Sequence, residues 1–174
     1  MRTLTFVLSN EHDQLVSINV LEYAGMLINY AAASYFYQHF PDASDPFPKV
    51  LFFADNTAAE SWMLKGCNSS WVGRALGRLQ CAMMIRNAVG IDTTRVSTHD
   101  NVRADKISRI KRETNSMSHF LHIVQEYPEL RGCRRFQPSA ELISHVMDAI
   151  LLKKLVDPVT VSKTVQKNPG RVIS

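Results

Sequence analysis

Three carboxylic acids hold the positions from which this sequence could do chemistry. Asp55 ends the run Lys49-Val-Leu-Phe-Phe-Ala-Asp55, whose unbroken apolar character reads as a strand buried on both faces. Glu22 stands in the first turn of a long apolar helix, and Asp105 in the first turns of a late basic one. Parallel α/β packing can gather a strand exit and two helix starts at one end of a sheet, where open sheets collect ligands. Carboxylates crowded there repel one another, so such a cluster persists only with bound cations or raised pKa values. Oxygen-only ligands select a hard ion, Mg2+ or Mn2+. Two such ions can activate a water and stabilise the leaving oxygen of a phosphodiester. Each acid also has a plainer reading. Asp55 or Asn56 can cap the next helix, and Glu22 and Asp105 can answer the amides of their own first turns.

The charge pattern suits a polyanion. The chain of 174 residues carries a net +4, yet Lys65 to Arg112 alone holds ten Lys and Arg against Asp92, Asp100 and Asp105, a local excess of +7. Arg74 and Arg78 fall one helical turn apart and project together, either onto a ligand or simply into solvent. His99 is a candidate acid or base, although a lone turn histidine is usually only solvated. Cys67, Cys81 and Cys133 are odd in number and widely separated, which argues against a disulfide framework or a zinc site and for reduced packing residues. Val20 to Tyr37 is interrupted by Glu22, Asn29 and Ser34, so it reads as a packed helix and not as a membrane span. With no signal peptide at its start, the chain reads as intracellular.

The elements that must position these groups follow from periodicity. Residues 2–9 have strand composition, Asn10 to Gln14 is a polar turn holding Glu11 and Asp13, and Leu15 to Ile18 is further strand material. Asn19 to His39 reads as a helix packed on two sides, with Ser17 or Asn19 as N-cap. Pro-rich residues 41–48 deliver the chain into a strand over 50–54. A short helix over 57–64, a loop at 66–70 and a helix over 71–85 follow, the last with Val72, Ala75, Leu76, Leu79 and Met83 on its apolar face. Residues 87–94 read as a connection, 95–98 as a short strand, 99–101 as a turn and 102–110 as a helix. Beyond Glu113 come an apolar segment at 119–127, a basic loop at 131–138 and a helix from Ser139. Its stripe of Leu142, Ile143, Val146, Met147, Ile150 and Leu151 needs a partner surface, on this chain or another. Asp157-Pro158 ends that helix, and residues 159–174 read as a loosely held tail.

Three runs, Ile18-Asn-Val-Leu-Glu22, Phe53-Ala-Asp55-Asn-Thr-Ala-Ala and Asn101-Val-Arg-Ala-Asp105-Lys-Ile-Ser-Arg109, occur in that order. Over about residues 2 to 110 the chain resembles the ribonuclease H domain of retrotransposon reverse transcriptases. The resemblance implies an α/β fold with a mixed sheet over residues 1–112 and a helical extension over 113–174 that follows the domain in a polyprotein. It implies a metal-dependent endonuclease acting on the RNA strand of an RNA–DNA hybrid, with Glu22, Asp55 and Asp105 as ligands of Mg2+ or Mn2+. Asn56, Arg74, Arg78, Asn101 and Arg109 are the candidate contacts to nucleic acid, and the reverse transcriptase portion of a polyprotein is a candidate partner. The family's first acidic strand and the strand after it would precede residue 2. The resemblance therefore implies a sheet lacking its first strands, a site lacking one of four carboxylates, and impaired cleavage. The alternative is a catalytically inactive relic that binds nucleic acid or protein.

Overall fold

The computed structural model describes residues 16–39, 48–66, 70–108, 116–133, 135–151 and 170–173. In chain order these form α1 (Ile18–His39), β1 (Lys49–Ala54), α2 (Thr57–Lys65), α3 (Trp71–Asn87), β2 (Gly90–Arg95), α4 (Val102–Ser108) and α5 (Ser116–Glu126). A 3-10 turn (Pro128–Gly132), β3 (Arg135–Pro138), α6 (Ala140–Leu151) and β4 (Gly170–Ile173) complete them. The fold is mixed α/β, mostly helical, with two small two-stranded sheets among the described residues. No described helix is long and apolar enough to cross a membrane.

α1 is the spine. Val20, Tyr23, Ala24, Leu27, Tyr30, Ala31 and Ser34 recur at three-and-four spacing and are buried. Ser17 caps it, because its Oγ accepts from the Asn19 amide at 3.2 Å while its carbonyl accepts from Val20 and Leu21. Val16 and Ser17 are accordingly not strand, and over its described residues, 16–18, the expected strand over 15–18 gives way to the start of α1.

β1 and β2 pair in parallel, with Lys49 opposite Gly90 and Ala54 opposite Arg95. α2 and α3 make the long crossover that a parallel pair requires. Phe52 and Ala54 face the helices and are buried, whereas Leu51 and Phe53, 49% and 67% exposed, face away. β1 is therefore covered on one face among the described residues, not on both. β2 occupies 90–95, where the sequence suggested a connection followed by a strand at 95–98. The helix before it closes at Ala88, whose φ of 54° reverses the chain within two residues. Gly90 then donates to Pro48 O at 2.8 Å and starts the ladder. Gly90 and Asp92 look like turn formers, but Asp92 stands on the open face, where a polar side chain is tolerated.

The last helix docks on this chain. Leu142, Val146, Ala149 and Ile150 of α6 join the core formed by α1, α2, α3 and β1, and Ser139 caps the helix by accepting from the Leu142 amide at 3.1 Å. Part of the expected basic loop is β3, antiparallel to β4, so residues 170–173 of the expected loose tail form a strand. Gly170 permits this at a φ of +142°, where a Cβ would collide with Gln137 O, the Phe136 ring and Pro138 Cα. Cys81 and Cys133 are exposed and free, so they are not packing residues. The strand at 2–9, the turn with Glu11 and Asp13, Cys67, Arg109 and the helix end at Asp157-Pro158 lie outside the described residues.

A buried polar chain locks three helices together. The Tyr23 hydroxyl donates to Gln80 Oε1, and Gln80 Nε2 donates to Met63 O at 2.6 Å. Tyr23→Phe should leave Gln80 Oε1 buried without its donor and lower unfolding stability by about 1–3 kcal/mol, read from urea denaturation; an unchanged midpoint would show the bond to be dispensable.

Candidate functional site

The strand exit and the start of α1 are tied by one side-chain bond. Asn56 caps α2, its Oδ1 accepting from the Ala58 and Ala59 amides, both at 3.0 Å. Its Nδ2 donates to Asn19 Oδ1 at 2.9 Å. Asn19 lies three residues before Glu22 on α1, so this bond fixes Glu22 relative to the residue that ends β1. The ladder runs to that point, since Val96 N donates to Ala54 O at 3.0 Å, and Asp55 follows immediately. The cap is thus Asn56, and Asp55 has no capping duty.

Glu22 and Asp55 interact. Partial burial holds the Glu22 carboxyl above its ordinary value of 4.5, and the negative charge of Asp55 pushes it further the same way. α1 has no acid in its first turn, so Glu22 is too far along the helix for first-turn stabilisation to be its main explanation. Two carboxylates held together on rigid elements, one with a raised pKa, are the donor set a hard divalent cation accepts. Mg2+ keeps most of its waters and takes one or two protein carboxylates, so Glu22 and Asp55 fit it in kind.

Asp105 is placed differently. After β2 the chain makes a turn in which Ser97 Oγ donates to Asp100 Oδ2 at 2.5 Å, with His99 exposed at its tip. Half-buried Asn101 then opens α4, its carbonyl accepting from the Asp105 amide at 3.1 Å. Asp105 is exposed on a helix that packs against α5. The structure leaves Glu22 and Asp55 near enough for their charges to interact and carries Asp105 on a different, exposed helix. Among the described residues, no three His, Cys, Asp or Glu side chains stand close enough to share an ion.

The basic residues of α3 share an end with the acids. Tyr23 reaches Gln80, Tyr30 Oη donates to Val89 O at 2.7 Å, and Gln38 Nε2 donates to Asn87 Oδ1 at 3.3 Å. The bond near the start of α1 reaches the middle of α3 and the bond at the end of α1 reaches the end of α3, so the two helices run in broadly the same sense. Exposed Arg74 and Arg78, near the start of α3, therefore belong to the end where Asn19 meets Asn56. α3 contains no acid, and the Arg74 guanidinium lies 5.3 Å from the centre of the exposed Trp71 ring. Sequence reasoning missed Asn19 as a site-building residue and Trp71 as the ring beneath Arg74. The available signals were Asn19 three residues before Glu22, and Trp71 three residues before Arg74.

A raised pKa means that the folded chain holds the Glu22 proton more tightly than the unfolded chain does. The associated stability is present below the unfolded value and is lost as pH rises through the folded one. Glu22→Gln should therefore gain on the native protein in urea midpoint between about pH 4 and about pH 7; a pH-independent difference would show that Glu22 titrates normally. The chain matches no family model, and no curated protein or solved structure is similar to it.

Proposed function

We propose that this chain is a ribonuclease H-like nuclease domain of retroelement type, using Mg2+ or Mn2+ to hydrolyse the RNA strand of an RNA–DNA hybrid. The observation that carries the reading is the Glu22–Asp55 pair at the exit of a parallel strand, held by the Asn19–Asn56 bond. Such a pair is electrostatically unfavourable alone and becomes favourable around a divalent cation. When bound, the ion supplies Lewis-acid activation of water and charge stabilisation at the phosphodiester.

The chain's own residues supply position and attraction. Asp55 and Glu22 are the proposed ligands, and Asp105, on its separate exposed helix, is assigned as the third carboxylate from its place in the motif alone. Arg74 and Arg78 attract the polyanion toward the acidic end, a sequence-independent and salt-sensitive contribution. Asn56 acts first as a structural tie, because both its oxygen and its nitrogen are engaged. Asn101 opens the helix of Asp105, and Arg109 is assigned a backbone contact from its place in the motif. The upstream reverse transcriptase portion of a polyprotein remains the proposed protein partner.

The decisive measurement is hydrolysis of a labelled RNA–DNA hybrid in Mg2+ by the full chain, beside Glu22→Gln and Asp55→Asn. Each variant should lose roughly 100-fold or more in rate, as when one preorganised electrostatic group is removed. Mg2+ should also raise the melting temperature of the native chain and of neither variant. Equal cleavage by all three removes the pair from the mechanism. Hybrid binding that falls steeply with salt but gives no cleavage favours the inactive nucleic-acid-binding alternative.

A further inference from the structure

α4, described over Val102–Ser108, is held by side-chain contacts to residues 126–129. What holds it is therefore what aims Asp105. Arg103 forms an ion pair with Glu129 at 2.8 Å, and Lys106 forms one with Glu126. Both cations also lie over the same ring: the Arg103 guanidinium is 5.4 Å and Lys106 Nζ 5.3 Å from the centre of Tyr127. Exposed ion pairs are individually weak. Two of them flanking a shared aromatic ring form a network, with cation–π attraction added to each.

The ring is itself fixed. Tyr127 N donates to Ile123 O at 2.8 Å, ending α5, and Tyr127 O accepts from Leu130 N at 3.0 Å, opening the 3-10 turn. β3, which follows later in the sequence, packs on α1 through Phe136 and Tyr35, ring centres 5.8 Å apart. The Asp105 helix is thus tied to Tyr127, and β3 of the same C-terminal region contacts the helix that carries Glu22.

We propose that Tyr127, with Glu126 and Glu129, is a positioning element of the nuclease site: segment 126–129 clasps α4 and sets the direction of Asp105. The inference rests on the nuclease reading above for the role of Asp105. It gives the region after residue 113 a task inside the reaction of the domain before it. Arg103 and Lys106 lie on either side of Asp105 in sequence, so the clasp grips the helix at the turn that carries the acid.

The test uses the full chain with Tyr127→Ala, Tyr127→Phe and the charge swap of Arg103→Glu with Glu129→Arg. Amide exchange over residues 102–108 should lose protection in Tyr127→Ala and keep it in Tyr127→Phe and in the swap. In hybrid cleavage, Tyr127→Ala should cost roughly 10–100-fold at limiting Mg2+, the range for residues that orient ligands. Much of that loss should return as Mg2+ is raised, and the phenylalanine variant should behave as native. Unchanged exchange in Tyr127→Ala overturns the clasp. Lost protection with unaltered cleavage overturns its role in aiming Asp105. Asp105→Asn separates the two claims: if it cleaves as the native chain does, the nuclease assignment of Asp105 fails, while the exchange data still judge the clasp.

Discussion

A phenol hydroxyl enclosed in apolar surroundings must find an acceptor, and that demand shapes this molecule. Tyr23 is fully buried in the first third of α1, and its partner is a glutamine that is itself buried. Gln80 has two ends to satisfy, so its nitrogen turns to the carbonyl of Met63 on α2. Any slip of one helix against another would strand a polar atom, at a cost comparable to a large share of a small domain's stability. Apolar packing alone tolerates such slips far better. The Tyr23–Gln80–Met63 chain therefore sets the register of α1, α2 and α3 and, through it, which residues share an end of the molecule.

Within that frame the Asn19–Asn56 bond adjusts the site itself. Asn56 serves α2 as cap and α1 as tether, so the segment that carries Asp55 out of β1 is held at both sides. Rigid support allows Glu22 to remain near Asp55 although the two repel. Mobile side chains on loops would separate. On the proposed nuclease reading, a bound cation would relieve that repulsion.

Much of this was legible in the sequence because burial imposes period. The apolar spacing of 19–39, 57–64, 71–85 and the helix after Ser139 located four helices to within a few residues, and the run before Asp55 located β1. β2 was not legible, since Gly90 and Asp92 carry turn propensity and only pairing with β1 makes them strand. β3 and β4 were hidden for a related reason: each is four residues long and gains its shape from the other, across a separation in sequence that local propensity does not see. The site was readable in part. Asp55 at a strand end and Glu22 near the start of a long apolar helix were visible, whereas the Asn19–Asn56 tie depends on how α1 crosses β1. The clasp at Tyr127 was invisible, because its ion pairs join residues about twenty positions apart or more with no periodic signature.

The common sense of α1 and α3 has one more result. α1 begins at Ile18, beside the strand exit, α2 begins at Thr57, just past Asp55, and α3 begins toward the same side. The starts of α1 and α2 thus lie side by side where Asn19 bonds to Asn56, and the partial positive charges of their free amides add there. Because each contributes a fraction of a unit charge that is built into the backbone, the resulting field cannot be titrated away. On the proposed nuclease reading, it would offer an incoming phosphate chain an attraction that substitution of any single arginine would leave in place.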